Sequence, residues 1–206
     1  MTLCNLRLKW LRFNTLAVKK REKREIPASP SKNPISIFAP DSNNISIDVA
    51  FAVDDSMVRI YHREAEETLT YSLPDYAKNC LHNTALGKAY LSSLSDDRIA
   101  EKIASLTLVK RTANTIVSQA ALKSELQITK ARQYAICEEE YLPGLVAIGA
   151  PLYDPISRKG IGAVSFDFSV LQQNASEIMA KYGDMIRETA RTLSQLIPEE
   201  EGRRSR

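Results

Sequence analysis

Three stretches of this chain carry groups that can recognise a small molecule. Ser165 and Asp167 stand two apart in Ile161-Gly162-Ala163-Val164-Ser165-Phe166-Asp167-Phe168. A side-chain period of two puts both on one face of a strand. Polar groups set among small apolar residues suit the floor of a pocket. Cys137 precedes an acidic trio, Glu138-Glu139-Glu140, whose default reading is a solvated turn. Asn83-Thr84 reads as an N-cap ahead of Ala85-Leu86-Gly87-Lys88-Ala89-Tyr90-Leu91. The backbone N–H groups at such a helix start suit an anionic or carbonyl group.

Other chemistries lack their residues. Gly160 and Gly162 belong to no complete phosphate-binding glycine pattern. His62 and His82 do not sit at metal-ligand spacing and read as surface or satisfied residues. Ser165 lies in no nucleophile elbow. Three glutamates beside Cys137 disfavour its thiolate. The sequence therefore offers no catalytic residue, metal site or cofactor. The small residues Ala85, Gly87, Gly149, Ala150, Gly162 and Ala163 have two readings: close approach of a ligand, or tight helix–sheet packing.

The elements that position these groups follow from periodicity. Ile45 to Val53 alternates and then turns solidly apolar, Asp54-Asp55-Ser56 is a turn, and Met57 to Tyr61 returns, which predicts a hairpin. Leu69 to Leu73 is a candidate third strand. Helices follow: the one after Thr84, a second capped by Ser95-Asp96-Asp97, and a third from Ser118-Gln119. In the third, Leu122, Leu126 and Ile128 are expected to bury one face. Tyr134 to Ser169 reads as two strands, Leu145–Ala150 and Ile161–Phe168, joined by a polar hairpin. Val170 to Ile197 reads as one long helix, with Leu171, Ala175, Ile178, Tyr182, Met185, Thr189 and Leu193 on a continuous face. The order predicts an α/β (α+β) arrangement, an antiparallel sheet with helices against it.

With 206 residues, the expectation is one compact domain plus an appendage. A net charge of +3 is too mild to mark the whole chain as a nucleic-acid binder, although basic residues concentrate before residue 35. No apolar run reaches the roughly 20 residues a spanning helix needs. Cys4, Cys80 and Cys137 show no paired spacing, which points to reduced thiols in a cytoplasm. Asn5 to Val18 fits a short amphipathic helix, followed by the charged run Lys19 to Glu25. Pro27, Pro30, Pro34 and Pro40 make residues 26–43 a linker.

Several segments, taken together, resemble the effector-binding domain of the IclR family of bacterial transcriptional regulators. They are His82 to Leu91, Leu122-Lys123-Ser124-Glu125-Leu126 leading to Tyr134-Ala135-Ile136, Glu139 to Leu145, Ile148 to Asp154, and Ala163-Val164-Ser165. The order and spacing match from about Ile45 to Leu196. The resemblance implies a GAF-like fold with a long C-terminal helix, a small-molecule effector pocket, homodimers or homotetramers, and the work of a repressor. Family members carry an N-terminal winged helix-turn-helix that binds operator DNA. Asn5 to Val18 resembles only the end of that domain and its linking helix. Residues 1–25 are thus expected to be a remnant of it, residues 44–197 the effector-binding domain, and residues 198–206 a charged tail. Operator DNA becomes a partner only where a helix-turn-helix is supplied.

The resemblance also implies site residues: Thr84 with the backbone groups of Ala85 and Leu86, an acidic position that here is Cys137 with Glu138 beside it, an apolar contact at Leu145, and a small one at Ala147. A family Ser-x-Ser pair becomes Ser165 and Asp167. A carboxylate at 167 would repel a close anionic effector. The expectation is a neutral polyol-like or cationic ligand, or a pocket that has lost its ligand. Two other readings stand beside this one: a GAF-type enzyme such as a small redox reductase using Cys80 and Cys137, and a decayed structural remnant.

Overall fold

The computed structural model describes residues 45–65, 76–78 (backbone only) and 80–197. The expected N-terminal helix, basic run, proline-rich linker, strand at 69–73 and charged tail lie outside the described residues. Six strands form one antiparallel sheet in the order β3-β2-β1-β6-β5-β4. They are β1 (Ser46–Val53), β2 (Ser56–Arg63), β3 (Tyr76–Lys78), β4 (Ala135–Glu138), β5 (Leu145–Tyr153) and β6 (Gly160–Ser169). The helices are α1 (Ala85–Ser92), α2 (Asp96–Ser105), α3 (Gln119–Arg132) and α4 (Ala175–Leu196).

Strand alternation divides the molecule into layers. Ile47, Val49 and Phe51 of β1, Val146, Ile148 and Leu152 of β5, and Val164, Phe166 and Phe168 of β6 point to one face. There they pack on Ile178, Tyr182, Ile186 and Leu193 of α4. Tyr182 stacks on Phe168 with ring centroids 4.8 Å apart. The opposite face carries smaller residues, among them Ala50 and Ala163, and meets Leu86, Ala89, Leu122 and Leu126 of α1 and α3. Large side chains under α4 and small ones under α1 let α1 lie close to the sheet. A methyl group on Gly149 of β5 would come within 2.9 Å of the Ala85 carbonyl oxygen.

Four expectations need correction. Ile128 is 54% exposed, and Thr129 takes the buried position instead. Thr129 lies three and seven residues after Leu126 and Leu122, which continues the buried stripe. Leu171 is 82% exposed because α4 starts only at Ala175. A reciprocal capping box between Asn174 and Glu177 sets that start. The central stretch holds three strands rather than two, since Ala135–Glu138 pairs with β5. Finally, β3 forms after Pro74, where no strand was expected.

Candidate functional site

The α1 face of the sheet carries a buried polar patch. Direct cross-strand partners share a face. Asp48 pairs with Ser165, Asp167 with Ala147, and Ala147 with Cys137. Ser165 and Asp167 do lie together, and the Ser165 hydroxyl donates to Asp167 Oδ1 at 3.0 Å. Asp48 is fully buried and Asp167 only 7% exposed. A second carboxyl thus joins the patch, one that sequence reasoning missed. Its signal was present in β1, where Ser46, Asp48 and Ala50 alternate with Ile45, Ile47 and Val49.

The two carboxyls differ in their partners. Asp48 Oδ1 meets His62 Nδ1 at 2.7 Å and Arg59 Nη1 at 3.4 Å. A bulge in β2 makes this possible: Val49 pairs with Tyr61 while the next residue, Ala50, pairs with Arg59. The extra residue, Ile60, brings Arg59 and His62 to the same face although they are three apart. Asp48 Oδ2 is buried without a hydrogen-bond partner. Asp167 forms no ion pair with a basic side chain among the described residues. Burial, then the charge of Asp48, pushes the Asp167 carboxyl well above the ordinary aspartate range. The hydrogen bond to Asp48 raises the pKa of His62.

Above this floor stands the start of α1. The Thr84 hydroxyl accepts from Gly87 N–H at 3.1 Å and donates to the Cys80 carbonyl at 2.7 Å, so it is fully engaged as a cap. The first-turn N–H groups of Ala85 and Leu86 have no helix carbonyl behind them. The Leu86 side chain goes into the α1–α3 core. Ala85 packs on Cys137 and Ala147. The Cys137 thiol donates to the Asn83 carbonyl at 2.9 Å, and burial pushes its pKa up to about 12. Asn83 is fully buried with neither side-chain polar atom bonded. Leu145 caps the end of the floor beside Cys80 and Tyr141.

Glu138 does not join the other candidates. It is exposed and alternates to the face opposite Cys137. Nor is the acidic trio a solvated turn throughout. Glu140 is buried and accepts from Lys88 Nζ at 2.5 Å, while Lys88 itself is 1% exposed and also approaches Glu125 at 3.7 Å. Glu139 accepts from Gly144 N–H at 2.8 Å and closes the turn into β5. His62 is engaged by Asp48, whereas His82 is buried and its Nδ1 has no hydrogen-bond partner. His82 Nε2 lies 3.1 Å from the Val109 carbonyl.

The family described as bacterial transcriptional regulator IclR, C-terminal, matches residues 41–195. The chain belongs to the IclR family. Among its relatives, the HTH-type transcriptional regulator BhcR of Paracoccus denitrificans is 28% identical over 140 residues, 68% of this chain and 50% of that protein. The HTH-type transcriptional repressor AllR of Klebsiella pneumoniae is 27% identical over 152 residues, 74% of this chain and 55% of that protein. This IclR-family chain thus spans about half the length of these relatives. Its fold is that of the inducer-binding domain of PobR from Acinetobacter, solved with 3-hydroxybenzoic acid, with a TM-score of 0.68 at 18% identity, covering 79% of this chain and 94% of that one.

Other features of the IclR-family chain lie apart from the patch. A surface concavity of about 810 Å³ opens toward the C-terminal end of β5. Its charged walls pair with one another, Arg187 with Asp184 and Arg191 with Glu188. Among the described residues no group of three acidic, histidine or cysteine side chains is placed to hold a metal ion. None of the described helices is long and apolar enough to cross a membrane.

Proposed function

We propose that residues 44–197 are the ligand-sensing and oligomerisation domain of a repressor, and that the effector sits between the start of α1 and the floor formed by Ala147, Ser165 and Asp167. The observation that carries this reading is a buried polar patch with unmet hydrogen-bonding capacity. Asp48 Oδ2 and both polar atoms of Asn83 are buried without partners. A buried polar atom left unpaired costs about 1–3 kcal/mol, so a purely structural patch would be expected to be satisfied or apolar. Support comes from the relatives named repressors and from the inducer-binding domain of PobR, solved as a double mutant with 3-hydroxybenzoic acid. Ala85 and Leu86 N–H groups form one wall, Cys137, Leu145 and Ala147 line the floor, and Thr84 acts by holding the helix start.

The sensing mechanism is a population shift. The effector binds one arrangement of paired subunits more tightly and biases the DNA-binding domains attached to them. Operator DNA enters through those domains. A thermal-shift screen with small polar metabolites tests the pocket. A true effector raises the melting temperature of the wild type, and Ala147→Leu, which fills the floor, abolishes the response. A broad screen with no responder would favour the structural remnant instead.

A further inference from the structure

We propose that the effector carries a protonated amino group held by Asp167, Asp48 and Ser165, and that it is a small amino acid whose carboxylate meets the Ala85 and Leu86 N–H groups. This rests on the pocket reading above and names its ligand class. Asp48 already has two cationic neighbours, His62 and Arg59. Asp167 makes no ion pair of its own among the described residues and shares only the charge of His62, yet it is nearly as buried. A buried carboxyl without a cation must either hold a proton or receive a positive group from outside.

The acceptor set fits an ammonium group. A primary ammonium has three N–H donors and no acceptor. The patch offers three acceptors on adjoining positions: the Asp167 carboxylate, the unpartnered Asp48 Oδ2, and the Ser165 oxygen, which retains lone pairs while donating to Asp167. Asp48 lies diagonally across from Asp167 on the same face, since their direct partners are Ser165 and Ser46, and its charge acts on Asp167. No aromatic side chain belongs to the patch, which argues against a methylated cation needing a π-face. The start of α1 favours a negative group. A bare carboxylate there would face Asp167, but one that brings its own ammonium places the positive charge between them. The start of α1 lies close on the floor, with Ala85 against Ala147 and Gly149, which restricts the ligand to a small molecule.

Binding then expels the proton that Asp167 holds in the empty site. The groups facing Asp167 are Ser46 and Asp48 from β1, His62 from β2, Ser165 from its own strand, Cys137 across Ala147 from β4, and the α1 N-terminus. Calorimetric titration of the chain with glycine, L-alanine and L-serine, against glycolate, L-lactate and pyruvate, tests the proposal. At least one amino acid is expected to bind about tenfold or more tightly than its hydroxy-acid counterpart. Its affinity should rise from pH 5 to pH 7, with a proton release seen as buffer-dependent heat. Asp167→Asn, in which His62 is untouched, should abolish the release and weaken binding about 10- to 100-fold. A hydroxy or keto acid binding as tightly as the amino acids, unaffected by Asp167→Asn, overturns the amine assignment and leaves the pocket standing. Failure of every amino acid also overturns it. Asp167→Ser distinguishes the two levels in that event: capture of a hydroxy acid by this variant preserves the pocket reading, and silence from both proteins counts against the pocket too.

Discussion

The Ser165 hydroxyl lies 3.0 Å from Asp167 Oδ1, a hydrogen bond made within one strand between side chains that share a face. It is the only neutral donor that Asp167 has among the described residues, and it does not supply the charge that burial demands. The elevated pKa of Asp167 means that the native state binds a proton more tightly than the unfolded state does. Stability therefore falls as pH rises above the unfolded aspartate value, about 3.9, and levels off once the native carboxyl has ionised. Asp167→Asn is expected to raise stability by about 1–2 kcal/mol at pH 7 and by little at pH 4. Urea unfolding at both values checks this, and equal effects at the two would refute it.

His62 has the opposite profile to a depressed carboxylate. Its pKa is raised, chiefly by its hydrogen bond to Asp48. The stabilisation is complete below the unfolded histidine value, about 6.5, and is lost as pH rises through the native one. The imidazole is partly solvated, so solvent screening holds the contribution below about 1 kcal/mol. His62→Gln should cost more stability at pH 6 than at pH 8.5. An NMR titration should show the His62 midpoint moving down in Asp48→Asn.

Lys88 and Glu140 tie the underside of α1 to the turn before β5 through a 2.5 Å contact with almost no solvent access. Lys88→Met leaves Glu140 buried without its counter-ion, and the expected loss is about 3–5 kcal/mol. Glu140→Gln in the same background should restore part of it. Chemical denaturation of the single and double variants measures the coupling, and purely additive losses would show that the pair is not the cause.

Gly87 lies against the backbone of Leu81. A methyl group there would sit 2.4 Å from the Leu81 Cα, and neither main chain can yield cheaply. Gly87→Ala is expected to destabilise by about 2 kcal/mol or more despite alanine's better helix propensity. An unchanged or raised melting temperature would show that α1 is free to shift.

Cys80 and Cys137 are both buried, and burial raises both thiol pKa values. Neither should react with Ellman's reagent at pH 8 in the folded protein, and both should react in denaturant. Rapid modification of Cys137 in the native state would revive the reading of a redox enzyme.

Local features were legible where the decisive contacts are local. Thr84 caps a helix through its own first turn, and Ser165 and Asp167 share a face because a strand has a period of two. Asp48 was not found because its importance comes from pairing with β6, at the other end of the domain. Glu140 was missed for a related reason: a run of three glutamates looks solvated until a buried lysine from α1 is placed above one of them. Ile128 and Leu171 were misassigned by spacing alone. The stripe on α3 continues through Thr129, a polar residue that an apolar pattern overlooks. Leu171 precedes the capping box that starts α4.

The bulge at Ile60 has a consequence for comparing this chain with its relatives. One inserted residue inverts the parity of β2, so that Arg59 before it and His62 after it both address Asp48. A relative with an unbulged strand would present a different side chain at each position beyond the insertion. An ungapped alignment through β2 would therefore match core residues to floor residues. Predictions of ligand preference transferred by column would carry the wrong charge to the site, even where the strand itself is correctly recognised.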